Sequence, residues 1–257
     1  MQLEIFLYII AFLYGIVIGS FLNVLIYRLP IKETIVTDRS HCMTCGRQIK
    51  WYDLIPLASY IFLRGKCRYC KAKISPQYPI VEALNGIGYV FIFFINGFNL
   101  VSILYCLTFS ILLVVAIIDF RTYEIPQCLN VTIGIFGILR IILDFGDLLD
   151  YLIGFCVISG FMLIVLIIGR KIKHIDAFGG GDIKLMAASG LLLGWKEIIL
   201  AFFIGCILGA VIHTLRMKIT NEDHVLAFGP YLCAGILIAM LFGNTLINWY
   251  VGLLLRG

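Results

Sequence analysis

Charged side chains are scarce in this sequence of 257 residues, and their scarcity defines the class of protein. Asp, Glu, Lys and Arg together make up 14% of the chain, whereas 61% of it is hydrophobic. An ordinary soluble domain is about 25% charged and about 45–50% apolar. The composition therefore excludes a soluble globular protein and predicts an all-α protein that crosses the membrane several times.

Basic residues are absent from the first 27 positions and begin only at Arg28. A cleaved signal peptide normally carries a basic segment before its apolar core. We therefore expect residues 1–27 to remain in the mature protein as the first transmembrane helix. The formal net charge of +5 comes from later connecting loops and predicts no nucleic-acid partner.

Long uncharged runs predict about eight transmembrane helices, since a helix needs about 20 apolar residues to cross the hydrocarbon. The 36-residue run from Ala83 to Ile118 is long enough for two helices and is interrupted by turn-forming residues at 96–99. Two further segments, Ile125–Leu143 and the short Leu185–Trp195, complete the count. The other four runs are Ile5–Tyr27, Tyr151–Gly169, Ile198–Leu215 and Val225–Leu255.

The distribution of basic residues predicts the orientation in the membrane. Ten of the 20 Lys and Arg residues lie between Arg28 and Gln77, and seven more lie in later connections on the same side. The positive-inside rule makes this side cytoplasmic and puts the N-terminus outside. We expect the basic loop at 28–78 to face anionic lipid headgroups.

Four of the nine cysteines form two Cys-x2-Cys pairs within that loop, with 21 residues between the pairs. In a reducing compartment, paired motifs of this kind are more often metal ligands than disulfides. Four thiolates can complete a tetrahedral Zn²⁺ site, which would stabilise a loop too polar to form its own core. Reduced surface cysteines or a redox pair remain the alternatives. The predicted ligands are Cys42, Cys45, Cys67 and Cys70.

Two aspartates are the main candidates for catalysis. Asp119 ends an uncharged run, Asp182 follows three glycines from Gly179 to Gly181, and both are predicted at the cytoplasmic edge of the bilayer. Two carboxylates that share a site cannot both ionise cheaply, so the pair can act as general acid and general base. This is the arrangement of an aspartic protease, and it predicts carboxyl groups within about 4–7 Å of each other.

Simpler roles remain open for both aspartates. Asp119 could pair with Arg121, and Asp182 could cap the helix that begins beside it. Intramembrane acids and broken helices also mark ion pathways, so an ion-coupled transporter or channel is the alternative function.

Four further residues are candidates for substrate binding or for support of the site. Glycines at Gly179 and Gly181 would let an extended peptide approach closely. Lys184 lies about 200° around a helix from Asp182, so a direct ion pair between them is not required. Glu82 is another ionisable group near membrane depth, where it could contact substrate or lie at the interface.

The order of these motifs resembles the bacterial type IV prepilin peptidases, membrane aspartic proteases with a G-x-G-D motif. The resemblance extends from about residue 15 to 235. Its N-terminal motifs are Gly19–Val24, Tyr27–Pro30, the paired cysteines with Trp51-Tyr52-Asp53 between them, and Tyr78–Glu82. Its C-terminal motifs are Asp119-x-Arg121 with Ile125-Pro126, Gly179–Leu185 and Phe228-Gly229-Pro230.

The resemblance implies a bifunctional enzyme of the bacterial inner membrane. Such an enzyme removes the basic leader from prepilins or pseudopilins at the cytoplasmic face and then N-methylates the new terminal residue with S-adenosylmethionine. By the motif match, Asp119 and Asp182 are the catalytic aspartates, and the four cysteines take the zinc positions. The expected organisation is a first helix at 1–27, a zinc-binding and methyltransferase-associated loop at 28–78, and protease helices at 79–257.

Overall fold

The computed structural model describes residues 2–35, 39–173, 178–220 and 226–255. In these ranges the secondary structure is helical, apart from two isolated β-bridges, so the predicted all-α class is confirmed. The α-helices are α1 (Gln2–Arg28), α2 (Ala58–Phe62), α3 (Gln77–Asn96), α4 (Leu100–Thr122), α5 (Gln127–Leu143), α6 (Leu148–Lys173), α7 (Gly180–Leu193), α8 (Trp195–Thr220) and α9 (Gly229–Leu254).

Six of these helices are long and apolar enough to cross a membrane, namely α1, α3, α4, α6, α8 and α9. Helix α5 has 17 residues and α7 has 14, so both are shorter than a standard crossing. At 1.5 Å per residue α7 is about 21 Å long, against a hydrocarbon thickness of about 30 Å. All eight predicted helical segments are therefore present as helices. Their length and apolar character support six membrane crossings, and the predicted total of eight crossings remains a prediction.

The break between α3 and α4 lies where the sequence predicted it. Helix α3 ends at Asn96, and Gly97 takes a φ of +74°, which favours glycine because it has no Cβ. The side chain of Asn99 then accepts a 2.8 Å hydrogen bond from the backbone N–H of Ser102 and caps α4.

The chain divides into two units, residues 1–114 and 115–257. In the first unit, α1 and α3 pack antiparallel with their backbones in close approach. A Cβ added to Gly15 would lie 2.6 Å from the Cα of Gly86, and one added to Gly19 would lie 2.8 Å from the Cα of Glu82. Small residues spaced four apart are typical of tightly packed membrane helices.

In the second unit, the short helix α7 is central and packs against α5, α6, α8 and α9. Its contact with α6 depends on two glycines, because a Cβ on Gly190 would lie 2.1 Å from the carbonyl oxygen of Gly154. Eight of its 14 residues are buried, including Asp182 in its first turn. The fold thus places an ionisable side chain at the start of an enclosed helix.

Candidate active site and metal centre

The four predicted zinc ligands lie together in the first unit. Their Sγ atoms all lie within 4.8 Å of one another, and those of Cys42 and Cys70 are 3.8 Å apart. Four thiolates around zinc with bonds of about 2.3 Å would have their sulfurs about 3.8 Å apart. Backbone N–H groups of Cys45 and Thr44 lower the pKa of Cys42 to about 6, which favours the metal-binding thiolate. The donor set therefore fits a tetrahedral zinc ion.

Each cysteine pair lies in a small hairpin, and the two hairpins are built alike. The N–H of Cys42 donates to the carbonyl of Arg47, and the N–H of Cys67 donates to that of Ala72. A bridge pairs His41 with Gln48 in one hairpin, and Lys66 with Lys73 in the other. The similarity of the two hairpins can be seen in the sequence, where the pattern Cys-x2-Cys-x3-Ile occurs twice. The spacing of the cysteines alone did not indicate it.

An ion pair ties the second hairpin to a short 3-10 helix at Trp51–Leu54. The guanidinium of Arg68 donates two hydrogen bonds, of 2.6 and 2.8 Å, to the carboxylate of Asp53. This bidentate contact lowers the pKa of Asp53, so the carboxylate stays ionised and continues to accept both hydrogen bonds. It orients the chain between the two cysteine pairs.

Asp119 lies in the last turn of α4 and faces the start of α9. Its carboxylate is buried, with 5% of the residue exposed, and it accepts a 2.9 Å hydrogen bond from the backbone N–H of Gly229. Gly229 is the first residue of α9, and a helix N-terminus stabilises negative charge. Asp119 and Arg121 are two residues apart in one helix, a spacing that does not place side chains on the same face.

Asp182 lies in the first turn of α7 and is also buried, with 8% of the residue exposed. Gly179 is the N-cap residue of α7, and a Cβ added to it would lie 3.0 Å from the Oδ2 of Asp182. An acid at this third position of a helix is where a capping contact with the N-cap residue can form. Like Asp119, Asp182 therefore lies at a helix N-terminus.

One cavity of about 260 Å³ brings the two aspartates together. One side of it comes from the end of α4 and the following connection, and the other from the glycine segment at the start of α7. The lining residues are Asp119, Tyr123, Glu124, Ile125, Gly179, Gly180, Gly181 and Asp182. The structure therefore assembles the two predicted acids with both predicted glycines, although the predicted separation of 4–7 Å between the carboxyls remains a prediction.

The connection on the first side of the cavity is shaped by Tyr123 and Pro126. Tyr123 ends α4 with a φ of +56°, and its N–H donates to the carbonyl of Asp119. A residue before proline is disfavoured in the helical conformation, and residues 124–126 lie outside the helices. The chain therefore passes the acids as a non-helical connection between α4 and α5.

The three glycines before Asp182 differ in their surroundings. A Cβ on Gly179 would lie 3.0 Å from an oxygen of Asp182, and one on Gly181 would lie 3.0 Å from the Cβ of Ile125. A Cβ on Gly180 would meet nothing within 4 Å. The first and third glycines thus allow close packing at the cavity, whereas the middle one has room for a side chain.

Several supporting contacts were not predicted from the sequence. The side-chain amide of Asn130 in α5 donates to the carbonyl of Gly181, and the Nζ of Lys184 donates to the side chain of Gln127. Lys184 therefore fastens α7 to α5. The ring of Phe178 packs against those of Phe202 and Phe228 and anchors the glycine segment. The only feature of the sequence that could have indicated Asn130 is that it is a polar residue in an apolar run.

Glu82, the second ionisable residue predicted at membrane depth, lies in α3 and is 6% exposed. Its carboxylate accepts a 2.8 Å hydrogen bond from the backbone N–H of Leu57. Leu57 has a φ of +59°, an unusual conformation for leucine. Glu82 thus fastens the cysteine-containing loop to α3.

These features define a class: a helical membrane protein with a four-cysteine module and an enclosed pair of aspartates at helix N-termini. Comparison with known families is consistent with this class. The bacterial peptidase A24 N-terminal domain matches residues 13–95, and the type IV leader peptidase family matches residues 106–214. No solved structure matches the chain.

Curated relatives cover nearly the whole chain. A protein of Legionella pneumophila is 30% identical over 275 residues, covering 96% of this chain and 95% of the relative. One of Bacillus subtilis is 30% identical over 245 residues, covering 94% and 97%. Both are named prepilin leader peptidase/N-methyltransferase. The chain described here belongs to the type IV leader peptidase family, so the resemblance seen in the sequence is confirmed.

Proposed function

We propose that this protein cleaves the leader from type IV prepilins or pseudopilins and then N-methylates the new terminal residue. The observation that supports this most directly is the shared cavity of Asp119 and Asp182, the two acids of the predicted catalytic pair. The names of the relatives supply the substrate class. In this proposal Asp119 and Asp182 are the catalytic residues.

Cleavage by the pair requires one ionised and one protonated carboxyl group. The ionised aspartate takes a proton from water, and the water oxygen bonds to the scissile carbonyl carbon. The protonated aspartate gives its proton to the carbonyl oxygen. When the carbonyl re-forms, the aspartate that gave its proton takes it back from the hydroxyl group. The C–N bond breaks, and the leaving amine takes the proton that the other aspartate had removed from water, so the pair returns to its starting state.

Glu124 adds a third carboxylate at the cavity, and it is exposed where the two aspartates are buried. Its position gives the approach to the catalytic pair a negative potential. A leader with basic residues is the complementary substrate. Gly179 and Gly181 allow the peptide backbone to approach, and Lys184 supports the site through Gln127.

Zinc is proposed as a structural ion at Cys42, Cys45, Cys67 and Cys70. All four positions are taken by protein thiolates, so the ion has no open position for a substrate. It would replace a hydrophobic core in the loop. Asp53, Arg68 and Glu82 would support this module by fixing the chain around it.

Methyl transfer is assigned to the N-terminal part of the chain, with the loop at 28–78 between the first helix at 1–27 and the helices at 79–257. S-adenosylmethionine, the donor that the family resemblance implies, would supply the methyl group. The relatives' names include the N-methyltransferase activity.

The proposed location is the bacterial inner membrane, with the N-terminus outside and the catalytic cavity facing the cytoplasm. The basic loop supports this orientation, because cytoplasmic loops carry an excess of Lys and Arg. Those residues would face anionic lipid headgroups. The alternative of an ion-coupled transporter finds no support, because the matched relatives are named as peptidases.

To test this proposal, purified protein in lipid or detergent is incubated with a prepilin and S-adenosylmethionine. The mass of the product is then measured by mass spectrometry. We expect loss of the leader followed by a gain of one methyl group. An intact prepilin after prolonged incubation with folded protein would contradict the peptidase, and an unmethylated product would contradict the second activity alone.

A further inference from the structure

The loop between α1 and α3 contains an apolar segment that the proposed enzyme activities do not explain. Residues Leu54–Leu63 form an uncharged run of ten residues between Asp53 and Arg64, inside the otherwise polar loop at 28–78. A run of this length is too short to cross a bilayer and is typical of interfacial or re-entrant segments.

The segment has no hydrophobic core of its own. None of the residues in the 3-10 helix at Trp51–Leu54 or in α2 is buried. The exposed fraction is 72% for Ile61, 85% for Phe62 and 78% for Trp51. Large apolar side chains grouped in this way and left open to solvent indicate an interaction surface.

The hydrogen bond from Leu57 to Glu82 places this segment within the membrane interface. Tyr27 and Tyr78 stack at the ends of α1 and α3, at 5.6 Å between ring centroids, and such aromatic pairs favour the level of the headgroups. Glu82 is one helical turn, or about 6 Å, further along α3 from Tyr78. The backbone of Leu57 is therefore held deeper than the aromatic pair.

The charges beside the segment match a lipid surface. Exposed basic residues lie on both sides of it, with Lys50 before and Arg64 and Lys66 after. Basic side chains next to an apolar patch are attracted to anionic headgroups, while tryptophan prefers the boundary between headgroups and acyl chains.

We propose that residues Leu54–Leu63 form an interfacial membrane anchor, with Ile61 and Phe62 inserted among the lipids at the membrane surface where α1 ends and α3 begins. The anchor holds the four-cysteine module against the bilayer. Glu82 fixes its depth through Leu57. The inference depends on α1 and α3 crossing the membrane and not on the proposed catalytic activities.

Depth-dependent fluorescence quenching tests this anchor in protein reconstituted into anionic vesicles. The three natural tryptophans are replaced by phenylalanine, and a single tryptophan is introduced as F62W. We expect its emission to shift to the blue, to lose intensity with brominated lipids and to resist iodide in the water. The matched control is M43W, because Met43 lies in a cysteine hairpin and is 78% exposed. Its emission should respond to iodide and not to brominated lipids.

Quenching of F62W by iodide would overturn the proposal, and so would protection from both quenchers, as a second copy of this chain would give. Wild-type protein provides a measurement that needs no variant. A phospholipid with a photoactivatable acyl chain should label Ile61 and Phe62 but not Met43 in peptide mass spectra. Absence of lipid adducts on Leu54–Leu63, with adducts present on α1 in the same sample, would equally overturn it.

Discussion

At the scale of single residues, the site depends on which groups touch the two acids. Asp119 accepts a hydrogen bond from the backbone N–H of Gly229, and the carboxylate of Asp182 lies next to Gly179. Both contacts come from helix N-termini, which stabilise negative charge in a buried position. The arrangement lets a buried carboxylate persist beside a second one, which is the condition for acid and base roles within one pair.

Replacement of either acid by its amide should abolish cleavage. In D119N or D182N the amide cannot act as a base or donate a carboxyl proton, and loss of general acid–base catalysis lowers rates by about 10²-fold or more. Leader removal measured by mass spectrometry should fall, while zinc content and thermal stability stay normal. Methyl transfer to an already cleaved pilin should survive, since it needs no hydrolytic water.

The matched control is D147N, because Asp147 is an exposed acid outside the cavity. It should cleave at the wild-type rate. Full activity in either D119N or D182N would remove that residue from the mechanism.

Two glycine variants distinguish the effect of a Cβ placed against Asp119 from the effect of replacing a glycine where there is space. A Cβ in G229A would lie 2.6 Å from the Oδ2 of Asp119, so the carboxylate has to move. We expect G229A to lower kcat for cleavage, with less change in KM. G160A should keep wild-type kinetics, because Gly160 lies in α6 outside the cavity and its Cβ would meet nothing within 4 Å. Equal kinetic effects of the two variants would show that the contact with Asp119 is unimportant.

At the scale of elements, short connections position the functional groups. Two matching hairpins bring four cysteines together, and the Arg68–Asp53 pair fixes one of them to the 3-10 helix. In the second unit, the non-helical connection before Pro126 and the glycines at the start of α7 form two sides of the cavity. These connections are polar or glycine-rich, whereas the helices between them are apolar.

The cysteine hairpins should bind one zinc ion per chain. Replacing Cys42 and Cys45 with serine should remove it, because two of four thiolates are lost. Elemental analysis measures the metal, and limited proteolysis should show faster cutting within residues 39–76 of the variant. The control replaces Cys128 and Cys156, which lie in α5 and α6, with serine. Wild-type protein purified without chelators and found free of metal would contradict the prediction.

For the whole molecule, the number of membrane crossings depends on two short helices. Helices α5 and α7 are shorter than the other six candidates, yet α7 is the helix around which the second unit packs. An eight-crossing protein puts the acidic connection between α5 and α6 outside and the basic one after α6 inside. This arrangement agrees with the positive-inside rule.

Short biotin-acceptor tags can test this topology in intact cells. We expect a tag inserted at Gly146, between α5 and α6, to be accessible only from outside. A tag beside Lys171, at the end of α6, should be biotinylated only by cytoplasmic ligase. Cytoplasmic labelling at Gly146 would show that α5 does not cross the membrane. Normal cleavage activity of each tagged protein is the control for correct folding.

The class of protein and the positions of its helices could be predicted from the sequence alone. Scarce charge and long apolar runs can only be accommodated by membrane helices, and the break at 96–99 follows from turn chemistry. Local spacing also predicted the four cysteines as one cluster, and the structure places their Sγ atoms within 4.8 Å of one another. A Cys-x2-Cys motif brings together only the two thiols of its own pair, so the meeting of the two pairs depends on the folded loop. The order of motifs then indicated the family.

The tertiary structure decided what local spacing cannot encode. Asp119 and Asp182 are 63 positions apart, and their common cavity depends on how α4, α7 and α9 pack. The donors from Gly229 and Asn130 reach the site from separate helices for the same reason. Exposure of Ile61 and Phe62 was equally hidden, because a ten-residue apolar run can be a buried core or a surface. Long-range packing determines whether such a run is buried or exposed, and only the folded chain shows that packing.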